Sequence, residues 1–346
     1  MKKLKRRYFQ GRIVDNSVWQ TKIVTICKKW LKKTPTVPAM DSGKGLYLKK
    51  KSIQVWQTGS LLLALAETGQ DKLFLEEAKT LISREFCCDN ITDSDFGLLG
   101  FALYIFPNNN FLETKIIKYV TENVLNDDII CYKSNVKSMT FVDTLGFICP
   151  FLTEYGIINR KFEFIELAKK QITNYLAKGV EPHCKLPFHA YDVNNETCLG
   201  ICDWARGTAW LLIALMDSYI CLQKNDIQDN FYLTKIKEYA DIICALQKPS
   251  GAYSWQLLRD NDSDSSATAV FGWYFVNCYN FFGDKKYLDC ARKCREYLKS
   301  VTFNNGAIDY CQGDTLSVGM YSRLFDIMPF GQAFALRMQT ILKNFD

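Results

Sequence analysis

The sequence predicts an all-α protein with the architecture of an (α/α)6 toroid, a six-hairpin barrel. Helical segments that are apolar on all sides alternate along the chain with segments that are apolar on one side only, six of each. Helices of the first kind are buried between other elements, and helices of the second kind form an outer layer. Alternation typical of strands is scarce, and there is no glycine-rich βαβ unit. The 346 residues, 48% of them hydrophobic, can build one large core. We expect a basic segment over 1–15 and a single domain over 16–346.

Each predicted helix follows from its apolar spacing. The inner helices are predicted over 52–68, 96–106, 141–154, 204–222, 265–282 and 329–342. The outer helices are predicted over 16–33, 72–86, 112–125, 161–178, 231–247 and 285–300. Residues 34–49 contain Pro35, Pro38 and the turn 41–45, and are predicted to be a loop.

Three connections between outer and inner helices are long: 181–202, 248–264 and 303–328. They are rich in polar and aromatic residues. Loops of this length in a helical protein usually build a binding site. We expect the three to open at one end of the toroid and to form a cleft there.

The charge distribution argues against a nucleic-acid partner. The formal net charge is +6, but six positive charges precede the first acid, Asp15, so the remainder carries no net charge. A nucleic-acid-binding protein usually carries its basic excess on the folded body, so we interpret the basic segment as a solvated terminus.

The same segment lacks the apolar core of a signal peptide, and no uncharged apolar run reaches the roughly 18 residues that span a bilayer. No membrane partner is therefore expected. The fourteen cysteines lie mostly within apolar helical patterns, which favours free thiols and a cytoplasmic protein.

The segment 203–210 is the first candidate site. Asp203 is a suitable N-cap, but Arg206 then lies in the first helical turn, where the helix dipole disfavours a cation by roughly 0.3 to 1 kcal/mol. An unfavourable cation flanked by Trp204 and Trp210 suggests a binding site. The alternative is that Arg206 extends to solvent along its apolar stem and that both tryptophans are core residues.

Two acids, Asp95 and Asp143, lie at the starts of inner helices, and His189 lies on the first long loop. Helix capping is an alternative explanation for each acid, and a structural or merely exposed role is the alternative for the histidine. Two carboxylates at one cavity mouth also form an acid/base pair, because the like charges raise one pKa until that group holds a proton near neutrality.

No metal or cofactor is expected. His183, Cys184, His189, Cys198 and Cys202 crowd into twenty residues, but their spacings match no usual zinc pattern. Residues 260–266 superficially resemble a calcium loop that lacks its glycine and its bidentate glutamate. A capped helix start at Asp264 or Ser265 explains them better.

Aromatic residues near the long loops suggest a carbohydrate partner. Sugars stack their C–H faces on aromatic rings, while their hydroxyls bind polar side chains. The aromatic residues concerned are Trp56, Trp204, Trp210, Tyr253, Trp255 and Tyr310. Arg206 suits a carboxylate on such a sugar, and a core role remains the alternative for each ring.

Several motifs together resemble the unsaturated glucuronyl and rhamnogalacturonyl hydrolases, glycoside hydrolase families 88 and 105, which are (α/α)6 barrels. The motifs follow the order of the family and lie between Trp56 and Phe275. They are 95–97 (Asp-Phe-Gly), 142–145 (Val-Asp-Thr-Leu) with 150–152, 189–192 (His-Ala-Tyr-Asp), 204–210 (Trp-Ala-Arg-Gly-x-x-Trp) and 265–269. The Trp-x-Arg-Gly-x-x-Trp element is the most specific.

The resemblance implies hydration of the C4=C5 double bond of an unsaturated uronic acid at the non-reducing end of an oligosaccharide. It implies that Asp143 is the acid/base, that Asp95 is the second carboxylate, and that no metal takes part. The residues that resemble uronate-binding residues are His189, Trp204, Arg206 and Trp210, and Trp255 extends the platform.

This chain departs from the family at Thr208-Ala209, where the family has Asn-Gly. We expect its substrate preference to diverge there. Two other functions are consistent with the same fold: another carbohydrate enzyme such as a sugar epimerase, and a glycan-binding protein without turnover.

Overall fold

The structure is a computed structural model that describes residues 6, 8–33, 35–40, 48–52, 54–70, 72–106 and 110–346. Contacts between residues divide the chain into two compact units. Unit 1 comprises Met1–Leu81 and Ala240–Asp346, and unit 2 comprises Ile82–Tyr239. The prediction of a single domain over 16–346 is not tested by this division and stays a prediction.

Within the described residues, twelve α-helices of seven or more residues match the twelve predicted segments. They are α1 Asn16–Lys32, α2 Val55–Glu67, α3 Lys72–Phe86, α4 Phe96–Ala102, α5 Glu113–Glu122, α6 Val142–Ile158, α7 Phe162–Lys178, α8 Ala205–Lys224, α9 Asn230–Ala245, α10 Ser265–Phe282, α11 Lys285–Ser300 and α12 Pro329–Leu342. The helix α6 runs through Pro150 and ends four residues beyond the predicted boundary. The predicted helix 96–106 ends in a 3-10 turn, Leu103–Ile105.

The strands are short. They are β1 Thr36–Met40, β2 Leu48–Ser52, β3 Met139–Phe141, β4 Ala190–Asp192, β5 Thr197–Leu199, β6 Cys311–Gln312 and β7 Phe325–Asp326. All pairs are antiparallel: β1 with β2, β6 with β7, and β4 between β3 and β5.

The prediction of a loop over 34–49 was wrong for residues 36–40 and 48–49, which form strands. Thr36–Met40 pairs with Leu48–Ser52, and Pro38 lies opposite Lys50. Proline is tolerated in this strand because a two-stranded sheet has only edge strands, whose outer N–H groups need no partner. The predicted turn 41–45 lies outside the described residues.

In unit 1, α10 packs against both α11 and α12, and α12 also packs against α2. The helices α2, α10 and α12 are buried along most of their length, as predicted for inner helices. The predicted capped start of α10 is confirmed: the carboxylate of Asp264 accepts a 2.9 Å hydrogen bond from the backbone N–H of Ser266.

In unit 2, three inner helices run parallel. A Cβ on Gly97 of α4 would meet Phe147 of α6, and one on Gly100 would meet Phe151. The later residue of α4 meets the later residue of α6, so the two helices run in the same direction. Val142 and Gly146 of α6 meet Gly207 and Trp210 of α8 in the same way. The N-termini of α4, α6 and α8 therefore point to the same end of this unit.

Among the described residues, α8 is the one helix that is long and apolar enough to cross a membrane by length and composition. Of its most apolar window, 94% is buried inside the protein, as is common for a core helix.

Candidate active site

The sheet β3–β4–β5 places His189 beside the start of α6. Strand β3 leads directly into α6, and Phe141 lies opposite Ala190 of β4. The backbone N–H of Val142 donates a 2.9 Å hydrogen bond to the carbonyl of His189. A histidine that is 46 residues away in sequence is thereby fixed next to Asp143.

Asp143 and His189 form the centre of the candidate site. Nε2 of His189 lies 3.6 Å from Oδ2 of Asp143. The imidazole is only 2% exposed, whereas the Asp143 side chain is 15% exposed. Burial and the positive charge of Arg206 lower the pKa of His189 to about 3. The imidazole is therefore neutral near pH 7, so this contact is not an ion pair.

Arg206 and Trp204 complete the cluster. The guanidinium Cζ of Arg206 lies 5.1 Å from the centre of the Trp204 ring, and the His189 and Trp204 ring centres are 4.6 Å apart. Arg206 is 2% exposed, so the alternative in which it extends to solvent is wrong. The predicted N-cap was also wrong: Trp204 occupies the N-cap position of α8, and Asp203 precedes it.

Asp95 lies at the start of α4, at the end of unit 2 that holds Asp143. The backbone N–H of Ser94 donates to the carbonyl of Tyr132, and the N–H of Tyr132 donates to Met139 of β3, each at 3.0 Å. The Asp95 turn is thus tied to the strand that leads into α6. Asp95 occupies the N-cap position of α4, as the capping alternative predicts, but its side chain makes no capping hydrogen bond. Asp143 is the second residue of α6, after its N-cap, so it is not an N-cap.

The predicted platform residues are buried. Trp210, 1% exposed, packs against Phe147 of α6 with ring centres 4.5 Å apart, in the core between α6 and α8. Thr208 and Ala209, where the chain departs from the family, are fully buried inside α8. The predicted sugar-binding role of Trp204 and Trp210 is not tested by this packing and stays a prediction.

Trp255 belongs to unit 1 and is also buried. Its ring centre lies 6.0 Å from that of Tyr321, and Cζ of Arg323 lies 5.5 Å from it. Its predicted role as an extension of the sugar platform stays a prediction, as does the predicted cleft formed by the three long loops.

Two aromatic residues of the site were not predicted from the sequence. Phe141 packs edge-on against His189 with ring centres 5.3 Å apart, and Tyr132 stacks on Phe141 at 4.3 Å. His189 therefore lies between Phe141 and Trp204. An aromatic residue directly before the helix that bears the candidate acid Asp143 was the available signal, but its contact with His189 depends on strand register, which the pattern does not define.

Among the described residues, no group of three or more His, Cys, Asp or Glu side chains is placed to hold a metal ion. All fourteen cysteines are free thiols. The chemical groups that the site offers are a partly exposed carboxylate, a neutral imidazole and a buried guanidinium.

The described residues form a mainly helical protein in which parallel buried helices bring a carboxylate, an imidazole and a guanidinium to one end of unit 2. A comparison with family models then identifies the family. The model of Glycosyl Hydrolase Family 88 matches residues 23–338, so the chain belongs to this family and is a glycoside hydrolase. The predicted family resemblance is confirmed. A search of the curated proteins found no match.

Solved structures confirm the predicted fold class, an (α/α)6 toroid. A possible family 105 member from Salmonella enterica has 17% sequence identity and a TM-score of 0.78, with 94% of each chain covered. An unsaturated glucuronyl hydrolase specific for heparin has 16% identity and a TM-score of 0.69, covering 96% of this chain and 98% of the other. An unsaturated glucuronyl hydrolase from Bacillus sp. GL1, responsible for the degradation of glycosaminoglycan, also has 16% identity and a TM-score of 0.69. The match covers 93% of this chain and 96% of the other.

Proposed function

We propose that this glycoside hydrolase hydrates the C4=C5 double bond of an unsaturated uronic acid at the non-reducing end of an oligosaccharide. The observation that carries the proposal is the pairing of Asp143 with a neutral His189 at 3.6 Å, beside the buried Arg206. The names of the similar structures, which include unsaturated glucuronyl hydrolases, support the same substrate class.

Arg206 is proposed to bind the uronate carboxylate. A guanidinium makes two parallel hydrogen bonds to a carboxylate, and each is strengthened by the opposite charges. The N-terminus of α8, where Arg206 is the second residue, adds partial positive charge and backbone N–H groups for an anion. A bound carboxylate thereby accounts for a cation at a position that is unfavourable for helix formation.

Asp143 is proposed to be the acid/base. Its carboxyl gives a proton to C4 of the enol ether, and the resulting carboxylate takes a proton from the water that adds at C5. The product is a hemiketal at C5, which opens and releases the remaining sugar. The proton given to C4 is replaced by the proton taken from water, so Asp143 is regenerated and neither an oxidant nor a metal enters the balance.

The neutral imidazole of His189 is proposed to position these groups. One ring nitrogen of a neutral imidazole donates a hydrogen bond while the other accepts. Held by Phe141 and Trp204, it can donate to Asp143 or to a substrate oxygen without adding a second positive charge beside Arg206. Asp95 is proposed as the second carboxylate, which holds or polarises the substrate.

The ultraviolet absorbance of unsaturated disaccharides tests the proposal. Products of lyases acting on chondroitin, heparin, gellan, ulvan and rhamnogalacturonan form the panel. We expect at least one to lose absorbance with wild type and none with Asp143→Asn. The matched control is Asp128→Asn, which removes an exposed carboxylate from the same unit and should retain activity. No loss with any substrate, or equal rates for Asp143→Asn and wild type, would overturn the proposal.

A further inference from the structure

Two thiols of unit 1 lie in direct contact with each other. Sγ of Cys244, at the end of α9, is 3.2 Å from Sγ of Cys290 on α11. The two residues are 46 positions apart in sequence, so their contact depends on tertiary packing. Cys244 is half-buried and Cys290 is buried.

A third thiol, Cys294, lies one helical turn beyond Cys290 on the same helix face. It is fully buried, and its sulfur accepts a 3.2 Å hydrogen bond from the side-chain amide of Gln247. The same amide donates to the carbonyl of Cys290 at 3.0 Å. Gln247 therefore ties the segment after α9 to α11 and keeps Cys244 and Cys290 close together.

We propose that Cys244 and Cys290 form a reversible disulfide by exchange with a low-molecular-weight disulfide such as oxidised glutathione. The thiolate of the more exposed Cys244 attacks one sulfur of the reagent and releases one molecule of reduced glutathione. The thiolate of Cys290 then attacks the Cys244 sulfur of the mixed disulfide and releases the second. The two protein thiols lose two electrons and two protons, and the reagent gains them as two thiols.

The environment of the pair determines which thiol reacts first. Burial and the hydrogen bond with Cys244 raise the pKa of Cys290 to about 12. Cys290 is therefore protonated at neutral pH and is a poor attacking group. Once glutathione is bound to Sγ of Cys244, Sγ of Cys290 is already close to that sulfur. The second step is intramolecular and is favoured by this proximity. The second step accelerates as the pH rises, because more of the Cys290 thiol is then ionised.

The disulfide would close a loop that contains residues 248–264, the long connection bearing Trp255. A covalent link across this loop restricts the unfolded chain more than the folded one. We expect the apparent Tm of the oxidised protein to rise by about 3 to 8 °C.

Peptide mapping identifies the pair unambiguously. Trypsin releases Cys244 alone in 238–259 and Cys290 alone in 287–292, while Cys294 is in 294–295. The full-length protein is incubated with oxidised glutathione, blocked with N-ethylmaleimide and digested. We expect 238–259 linked to 287–292, and loss of that species after dithiothreitol.

Two variants complete the test. In Cys290→Ser the mixed disulfide cannot resolve, so Cys244 should retain glutathione. In the control Cys294→Ser the link between Cys244 and Cys290 should still form. A wild-type Cys244 that stays free, retains glutathione, or links to a different cysteine would overturn the proposal. The readout is covalent, so it does not depend on the proposed glycosidase activity.

Discussion

At the scale of single residues, the neutral state of His189 has the clearest physical cause. The ring is buried between Phe141 and Trp204, and Arg206 is the charge that opposes its protonation. A protonated imidazole at this position would lose its hydration and would also be repelled by Arg206. Of these two side chains, only Arg206 is therefore positively charged near pH 7, and the substrate carboxylate is proposed to bind there.

This state predicts a pH dependence of stability. An unfolded histidine titrates near 6.5, whereas folding lowers the pKa of His189 to about 3. Between these values the unfolded state binds more protons, so the free energy of unfolding falls as the pH falls below 6.5, by up to about 1.4 kcal/mol per pH unit. Above pH 6.5 the histidine is neutral in both the folded and the unfolded state, so its protonation no longer lowers the free energy of unfolding.

Denaturant unfolding at several pH values from 7 to 4 measures this effect. The free energy of unfolding should change less steeply with pH in His189→Gln than in wild type. Parallel curves would contradict the assignment.

The proposed binding of the uronate carboxylate by Arg206 predicts that removing the guanidinium lowers substrate affinity. Arg206→Gln removes the charge-assisted hydrogen bonds to the uronate, worth about 1.5 to 3 kcal/mol, so KM should rise roughly 10- to 150-fold. Arg206→Lys keeps the charge but not the paired hydrogen bonds, and should show a smaller rise. Steady-state kinetics with one unsaturated disaccharide measures both. An unchanged KM in folded Arg206→Gln would contradict the proposed carboxylate site.

Much of the candidate site was predictable at this scale because its residues belong to local motifs. Asp143, His189 and Arg206 each follow from a short segment. Their mutual contact was not predictable, because it depends on the register of β3 with β4 and on parallel packing of α6 with α8. The burial of Trp210 shows the same limit: spacing identifies an apolar helix, but not which neighbour covers a given ring.

At the scale of elements, glycines set how closely the parallel helices approach. Gly97 lies against the backbone carbonyl of Phe147, and a Cβ on Gly146 would lie 2.7 Å from the ring of Trp210. These contacts hold α4 and α8 against α6, whose first turn bears Asp143. Positions that require glycine therefore lie next to the proposed acid/base.

Gly97→Ala should separate α4 from α6. The added Cβ meets backbone, which cannot rotate away as a side chain can, so we expect destabilisation of about 1 to 3 kcal/mol despite the better helix propensity of alanine. Thermal unfolding measures the effect. Gly69→Asn is the control, since that glycine has a positive φ that asparagine tolerates, and a Cβ added there would have no other atom within 4 Å. A Tm for Gly97→Ala equal to that of wild type would contradict the close packing.

The helices were predictable because apolar periodicity extends over many residues. The strands β3, β4 and β5 have three residues each, too few for alternation to emerge, and they are defined by pairing between distant segments. The sheet that brings His189 to Asp143 was for this reason absent from the predicted architecture.

At the scale of the whole molecule, the basic N-terminal segment includes a structural contact in unit 1. The Arg6 guanidinium makes hydrogen bonds of 2.7 and 3.0 Å to the buried carboxylate of Asp309, and lies over the ring of Tyr310 at 4.0 Å. The interpretation of the segment as a solvated terminus was wrong for Arg6. Lys2, Lys3, Lys5 and Arg7 lie outside the described residues. Sequence alone does not relate residues 303 positions apart, so this pair was not predictable.

Arg6→Gln should destabilise the protein, because it leaves the buried Asp309 carboxylate without its cation. Arg6 is partly exposed, so we expect about 1 to 3 kcal/mol rather than the larger cost of a fully buried pair. Urea unfolding at pH 7 measures the change. Arg12→Gln, which removes an exposed charge of the same segment, should change the free energy of unfolding by less than about 0.5 kcal/mol. Equal stability of the two variants would contradict a structural role for Arg6.

A matched pair of disaccharides tests the proposed hydration of a double bond at Asp143. One disaccharide carries the unsaturated uronic acid, and the other carries the saturated uronic acid on the same second sugar. NMR spectroscopy follows the C4 vinyl proton and the reducing end of the released sugar. Hydration at Asp143 predicts that wild type consumes the unsaturated disaccharide alone, with loss of the vinyl signal, and that Asp143→Asn consumes neither. Cleavage of the saturated disaccharide at a similar rate, or turnover by Asp143→Asn, would contradict it.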